Sequence, residues 1–132
     1  MANGMLPSDI LKLVKAAEEA IASVVAPFSG FSVGVALMTG EGRIYRGCNI
    51  ENPSLMLSFC AERAALIKAL TEGERTFRAM AIASNCGKYC FPCGPCRQML
   101  AEFASDIDVY IACDKGIRKY SIPELLPHPF RL

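Results

Sequence analysis

The chain has 132 residues, enough to bury a core of its own. Apolar residues make up 52% and charged residues 20%, and the net charge is +1 with Lys and Arg scattered along the sequence. That distribution excludes the basic face used to bind duplex nucleic acid, and the longest apolar runs, "IASVVA" and "VGVALM", are far too short to span a bilayer.

In chain order, "MANGMLPSD" lacks the basic and apolar regions of a signal peptide, which predicts a cytoplasmic protein. "SDILKLVKAAEEAIASVV" predicts a helix capped by Ser8 or Asp9, with Leu11, Val14, Ala17, Ile21 and Val24 on its buried stripe. Pro27 in "APFSG" stops it by restricting Ala26 to extended geometry. "FSVGVALMT" and "RIYRGCNIE" predict two strands joined by the hairpin connection "GEG". "CAERAALIKALTEG" predicts a second helix ending at Gly73, and "FRAMAIAS" a buried strand. "GPCRQMLAEFA" predicts a third helix and "IDVYIAC" another strand. "KGIRKYSIPELLP" closes with a short edge strand and a helical turn around Pro123 to Leu125. Strands alternating with helices after the hairpin predict one α/β domain over residues 1–132, a sandwich with a mixed sheet. The two cysteine-bearing helices then start at one edge of that sheet, where ligands bind in open α/β folds.

Seven cysteines with no export signal predict metal-binding, catalytic or buried thiols rather than disulfides. "YCFPCGPCRQML" admits three chemistries. An iron–sulfur motif would continue with a fourth cysteine followed by proline, where Leu100 and Ala101 stand. A thioredoxin-type CGPC is disfavoured because the chain has no Trp and the motif falls late, after two strands and two helices. Zinc accounts for more residues. Cys60 in "CAER" joins Cys93 and Cys96 to give three ligands, the number that a catalytic zinc takes while keeping one position open. Two helix N-termini direct their positive dipole ends at these thiolates. Zinc deaminases carry His or Cys, one residue, Glu, and later P-C-x-x-C, and "CAE" with "PCGPC" matches that pattern.

On these residues, with "PFSGFSVGVAL", "GCNIEN", "PCGPCRQ" and "ELLPHPF", the chain resembles the small homotetrameric cytidine deaminases of the three-cysteine type. The resemblance implies a three-layer α/β/α sandwich with a mixed five-stranded sheet and one Zn2+ per subunit. It implies hydrolysis of cytidine and 2′-deoxycytidine to uridine and 2′-deoxyuridine, with active sites at subunit interfaces. Glu62 is the expected acid–base group, taking a proton from the attacking water, passing it to the pyrimidine ring nitrogen and later protonating the departing amine. Three thiolates leave the metal with surplus negative charge. Arg63 is the expected counterweight, donating to cysteine sulfur, and the resemblance gives Gln98 a supporting part. It also implies that Asn49 and Glu51 hold the sugar 3′-hydroxyl, that Phe31 packs against the pyrimidine, and that Ala61 and Phe130 contact substrate, Phe130 from a neighbouring subunit.

Cys48, Cys86, Cys90 and Cys113 read as small, buried or semi-buried apolar residues, and His128 as surface or interface. Phe28, Pro53, Leu55 and Phe91 depart from the family, where tyrosine, alanine, tyrosine and a small residue are usual. The lost hydroxyls make the pocket surroundings more apolar, which weakens selection among amino-pyrimidine nucleosides. Modified cytidines, or a blasticidin-like nucleoside, are therefore a rival substrate. A noncatalytic zinc protein is a rival of another class, set against by the absence of a fourth ligand in the motif.

Overall fold

The computed structural model describes residues 4–132. Helix α1 (Pro7–Ala20) leads through a 3-10 turn (Ile21–Ser23) to strands β1 (Val33–Thr39) and β2 (Ile44–Cys48). Helix α2 (Ala61–Thr71), β3 (Phe77–Ser84), α3 (Gly94–Phe103), β4 (Asp108–Cys113), β5 (Gly116–Ser121) and the short α4 (Ile122–Leu125) follow. The strands form one five-stranded sheet in the order β2-β1-β3-β4-β5. Only β3 and β4 run parallel, and the other neighbours are antiparallel. This is the expected mixed sheet.

Strand alternation divides the sheet between two cores. Val35, Leu37, Met80, Ile82, Val109 and Ile111 pack with Ala65, Leu66 and Leu100 of α2 and α3. On the opposite face Ala36, Met38, Ala79, Ala81 and Ala112 meet Leu13, Val14 and Ala17 of α1. The second face is mostly alanine, so α1 lies close to the sheet. At Gly34 a Cβ would stand 2.0 Å from the Ala17 carbonyl oxygen, a position only glycine can occupy. Helices on both sides of one sheet give the three-layer sandwich.

Two expectations for α1 need correcting. The N-cap is Leu6, because Pro7 takes the first helical position, where its missing N–H costs nothing. Asp9 sits on the first turn and accepts a hydrogen bond from the Leu6 N–H at 3.1 Å. Leu11 is 62% exposed, whereas Leu13, Val14, Ala17 and Ala20 are buried. The buried stripe is centred on Leu13 and Ala17, so Leu11 falls about 60° beyond its edge at Val14.

The hairpin turns at Gly40–Gly42, with Gly42 in the left-handed region at φ 91°. The Thr39 N–H donates to the Arg43 carbonyl at 2.8 Å and closes it. Beyond β2 the chain stays extended: Ile50 bridges both Val25 and Phe59 and ties the 49–51 segment beside the start of α2. One close approach governs that start. A Cβ at Gly47 would lie 2.4 Å from the Ala61 carbonyl oxygen and 2.5 Å from the Ala65 nitrogen, so the bare glycine lets the first turn of α2 rest on β2.

Candidate active site

Cys60 is the N-cap of α2 and Cys93 the N-cap of α3, both with extended backbone. Cys96 lies on the first turn of α3 behind Pro95, which suits the opening of a helix because its ring fixes φ. Two N-termini thus deliver three sulfurs, all within 4.8 Å of one another, the only such group of potential metal ligands among the described residues. The Cys60 and Cys93 sulfurs are 3.6 Å apart and those of Cys93 and Cys96 3.2 Å. Zinc–sulfur bonds of about 2.3 Å in a tetrahedron require sulfurs roughly 3.8 Å apart, so small movements around an ion satisfy it. The donor set fits zinc: soft sulfur ligands, three in number, at two helix N-termini whose positive ends favour thiolates.

The electrostatics are those of a site prepared to hold a cation. Hydrogen bonding from Cys96, with help from Arg63 and Cys93, brings the Cys60 thiol down to about 5 against the cost of burial. Cys96 moves the opposite way, raised by sharing its proton with Cys60 and by its own burial. The hydrogen-bonded pair thus pulls the two thiols in opposite directions. Arg63 donates from Nη2 to the Cys60 sulfur at 3.6 Å and stands over the Phe59 ring with Cζ 5.4 Å from its centroid. Its Nε is buried with no acceptor among the described residues.

Glu62 occupies the second position of α2 and is 5% exposed. Burial pushes its carboxyl up to about 7, the Cys60 thiolate adds to the rise, and Arg63 offsets part of it. A carboxyl titrating near neutrality both accepts and donates protons under working conditions, as a proton shuttle must.

The match to one family is direct. The model for the cytidine and deoxycytidylate deaminase zinc-binding region covers residues 7–113, a span that includes all three sulfurs and Glu62. The chain belongs to this family. A cytidine deaminase of Sporosarcina psychrophila is 40% identical over 124 residues, covering 92% of this chain and 91% of that protein. The crystal structure of the cytidine deaminase from Burkholderia pseudomallei superposes with a TM-score of 0.88 at 38% identity, over 96% of this chain and 100% of that one. That of Mycobacterium tuberculosis gives 0.81 at 34%, over 94% and 98%.

The other family-implied residues are placed as follows. Asn49 straddles the approach to β1: its Oδ1 accepts from the Val33 N–H and its Nδ2 donates to the Phe31 carbonyl, both at 2.8 Å. Glu51 gathers the preceding loop, accepting from the Phe28 N–H at 3.0 Å, the Ser29 N–H at 3.1 Å and the Ser29 hydroxyl. The Ser29 hydroxyl, followed by these backbone donors, holds its carboxyl below the usual range. Phe28, Ser29, Glu51, Leu55 and Ser58 line a cavity of about 400 Å³. Phe31 is partly open at 37% exposure, and Ala61 is buried in the first turn of α2. Gln98 engages the backbone of Phe130 rather than a sulfur, and the Phe130 ring stands 68% exposed.

Residues to which the sequence assigned no site role also shape the site. Arg97 donates from Nε to the Pro92 carbonyl at 2.7 Å and from Nη1 to the Leu125 carbonyl at 2.6 Å. Phe91 packs edge-on against Tyr120 at 5.1 Å, and Arg118 lies over Tyr89 at 4.1 Å. The loop before Cys93 is thereby held from the edge strand β5. Only the position of Arg97 directly after a ligand hints at its part in the sequence; the ring contacts span strands that no local pattern connects.

Proposed function

We propose that the chain is a zinc-dependent hydrolase that deaminates cytidine and 2′-deoxycytidine to the corresponding uridines, releasing ammonia, as a pyrimidine-salvage enzyme. The observation that carries this reading is the convergence of three sulfurs from two helix N-termini beside a buried carboxyl that titrates near neutrality. Zinc held by Cys60, Cys93 and Cys96 supplies a Lewis acid that makes water nucleophilic at neutral pH.

The chain's own residues do the rest. Glu62 removes a proton from the attacking water and delivers it to the pyrimidine ring nitrogen. With the C–O bond formed at C4, Glu62 takes the second proton from the new C4 hydroxyl and hands it to the amine, so that the C–N bond breaks, ammonia leaves and the C4 carbonyl remains. Arg63 offsets thiolate charge, which keeps the metal electrophilic. Asn49 has one donor and one acceptor still free, and Glu51 keeps acceptor capacity on Oε2, which suits both to a sugar 3′-hydroxyl. Phe31 offers its ring face to the pyrimidine.

The assembly in this reading is a homotetramer with Phe130 entering a neighbour's site. Leu55 at 80% and Met56 at 95% exposure, next to a cavity lined by Phe28, support burial against another subunit. Free cysteines suit a reducing cytoplasm, and among the described residues no helix is long and apolar enough to cross a membrane.

The test is ammonia release from a panel of amino-pyrimidine nucleosides, bases and nucleotides, with zinc measured on the same samples. Cytidine and deoxycytidine should turn over, and Glu62→Gln should lose about 10²–10⁴-fold in kcat while keeping its zinc. Full activity in that variant, or turnover of modified nucleosides alone, overturns the reading.

A further inference from the structure

The last eight residues, 125–132, are laid along the helix that supplies two of the three sulfurs. Arg97 holds the Leu125 carbonyl at the start of this segment. At its end Arg131 donates to the Ala101 carbonyl at 3.2 Å and lies 3.8 Å from the Glu102 carboxylate. Between them Gln98 makes a reciprocal pair: its Nε2 donates to the Phe130 carbonyl and its Oε1 accepts from the Phe130 N–H, both at 3.0 Å. One amide side chain thus replaces a strand partner for a single residue. Pro127 and Pro129 stiffen the span between anchors by fixing φ.

The amide spends one donor and one acceptor on the Phe130 main chain and, among the described residues, makes no hydrogen bond to a sulfur, so its contacts here are those of the tail and not the sulfur-directed ones that the family resemblance suggests. We infer that Gln98 is a positioning residue for the C-terminal segment: it locks the Phe130 backbone two residues along α3 from Cys96 and so fixes where the exposed ring projects relative to the metal-bearing helix. The kinetic consequence rests on the reading above that Phe130 closes over a nucleoside in a neighbouring subunit. The clasp itself does not. A tail held at one height presents the ring without ordering it at each binding event, which favours substrate affinity rather than the chemical step.

The experiment compares the full chain with Gln98→Leu, Phe130→Ala and the double variant. Leucine suits a helix and removes both hydrogen bonds. In Gln98→Leu, hydrogen exchange at the Phe130 amide should quicken by about tenfold, the scale of the hydrogen bonds lost, with zinc content unchanged. KM for cytidine should rise by a similar factor with little change in kcat, and Gln98→Leu should add nothing in the Phe130→Ala background. Zinc loss, unaltered amide protection, or additive effects in the double variant overturn the inference. A kinetically silent Phe130→Ala refutes the placement of that ring at a nucleoside, while faster amide exchange in Gln98→Leu still supports the clasp.

Discussion

Gly47→Ala places a single methyl group where β2 meets the start of α2, behind the turn that carries Cys60 and Glu62. The new Cβ would lie 2.4 Å from the Ala61 carbonyl and 2.5 Å from the Ala65 nitrogen. Both are backbone atoms, so no side chain can swing aside, and the helix must withdraw by about 0.6 Å to reach even a tight contact. Overpacking of this kind costs about 2 kcal/mol, which lowers Tm by roughly 6–10 °C for a chain of this length. The displaced segment carries Cys60 and Glu62, and misplacement approaching 1 Å costs about 10²-fold in rate. Activity should therefore fall further than stability alone explains. The assay is kcat/KM with zinc content on protein held well below its melting temperature, with melting curves run at one fixed protein concentration. Wild-type Tm and activity would refute the argument that glycine is needed for α2 to rest on the sheet.

Arg63→Gln should weaken zinc retention or activity by about 10–100-fold, because it removes the donor to Cys60 and the cation facing the thiolates; chelator competition measures it, and an unchanged zinc affinity and rate contradict the charge-offset role. The metal-free protein has two opposed titrations. Glu62 is raised from an ordinary 4.5 to about 7, so its contribution is full below 4.5 and lost as pH climbs through 7. Cys60 is lowered from 9.0 to about 5, so its contribution is full above 9 and lost as pH falls through 5. Between pH 5 and 7 the two slopes cancel, and metal-free Tm under reductant should be nearly flat. Glu62→Gln removes the falling arm, so its metal-free Tm should climb with pH across that window. A flat profile in the variant contradicts the lowered Cys60 thiol, and an unmutated protein that climbs as steeply as the variant contradicts the raised Glu62 carboxyl.

Residues that act through local rules were legible in the sequence. The strand "FRAMAIAS" coincides with β3, and the helices after Cys60 and Cys93 begin at those cysteines because an N-cap precedes the first helical residue in each motif. The mixed sheet followed from the alternation of elements, and the sulfur cluster from spacing joined to helix starts. Features that depend on distant partners were not. The clasp on Phe130 links residues 32 apart, and neither "CRQ" nor "HPF" specifies the other. The loop from Phe28 to Ser29 folds back onto Glu51, which composition near a strand end does not foretell. The start of α1 was misplaced because Ser8 and Asp9 are stronger caps than leucine in isolation, yet Pro7 claims the first turn and Asp9 reaches back to it.

The central claim is one zinc ion held by three thiolates with a fourth position left for a light atom. Zinc K-edge X-ray absorption on the purified full chain, with zinc stoichiometry on the same sample, measures this directly. The account predicts one zinc per chain with three sulfurs at about 2.3 Å and one oxygen or nitrogen at about 2.0 Å. Four sulfurs around the metal, or a folded and active chain without zinc, would contradict it.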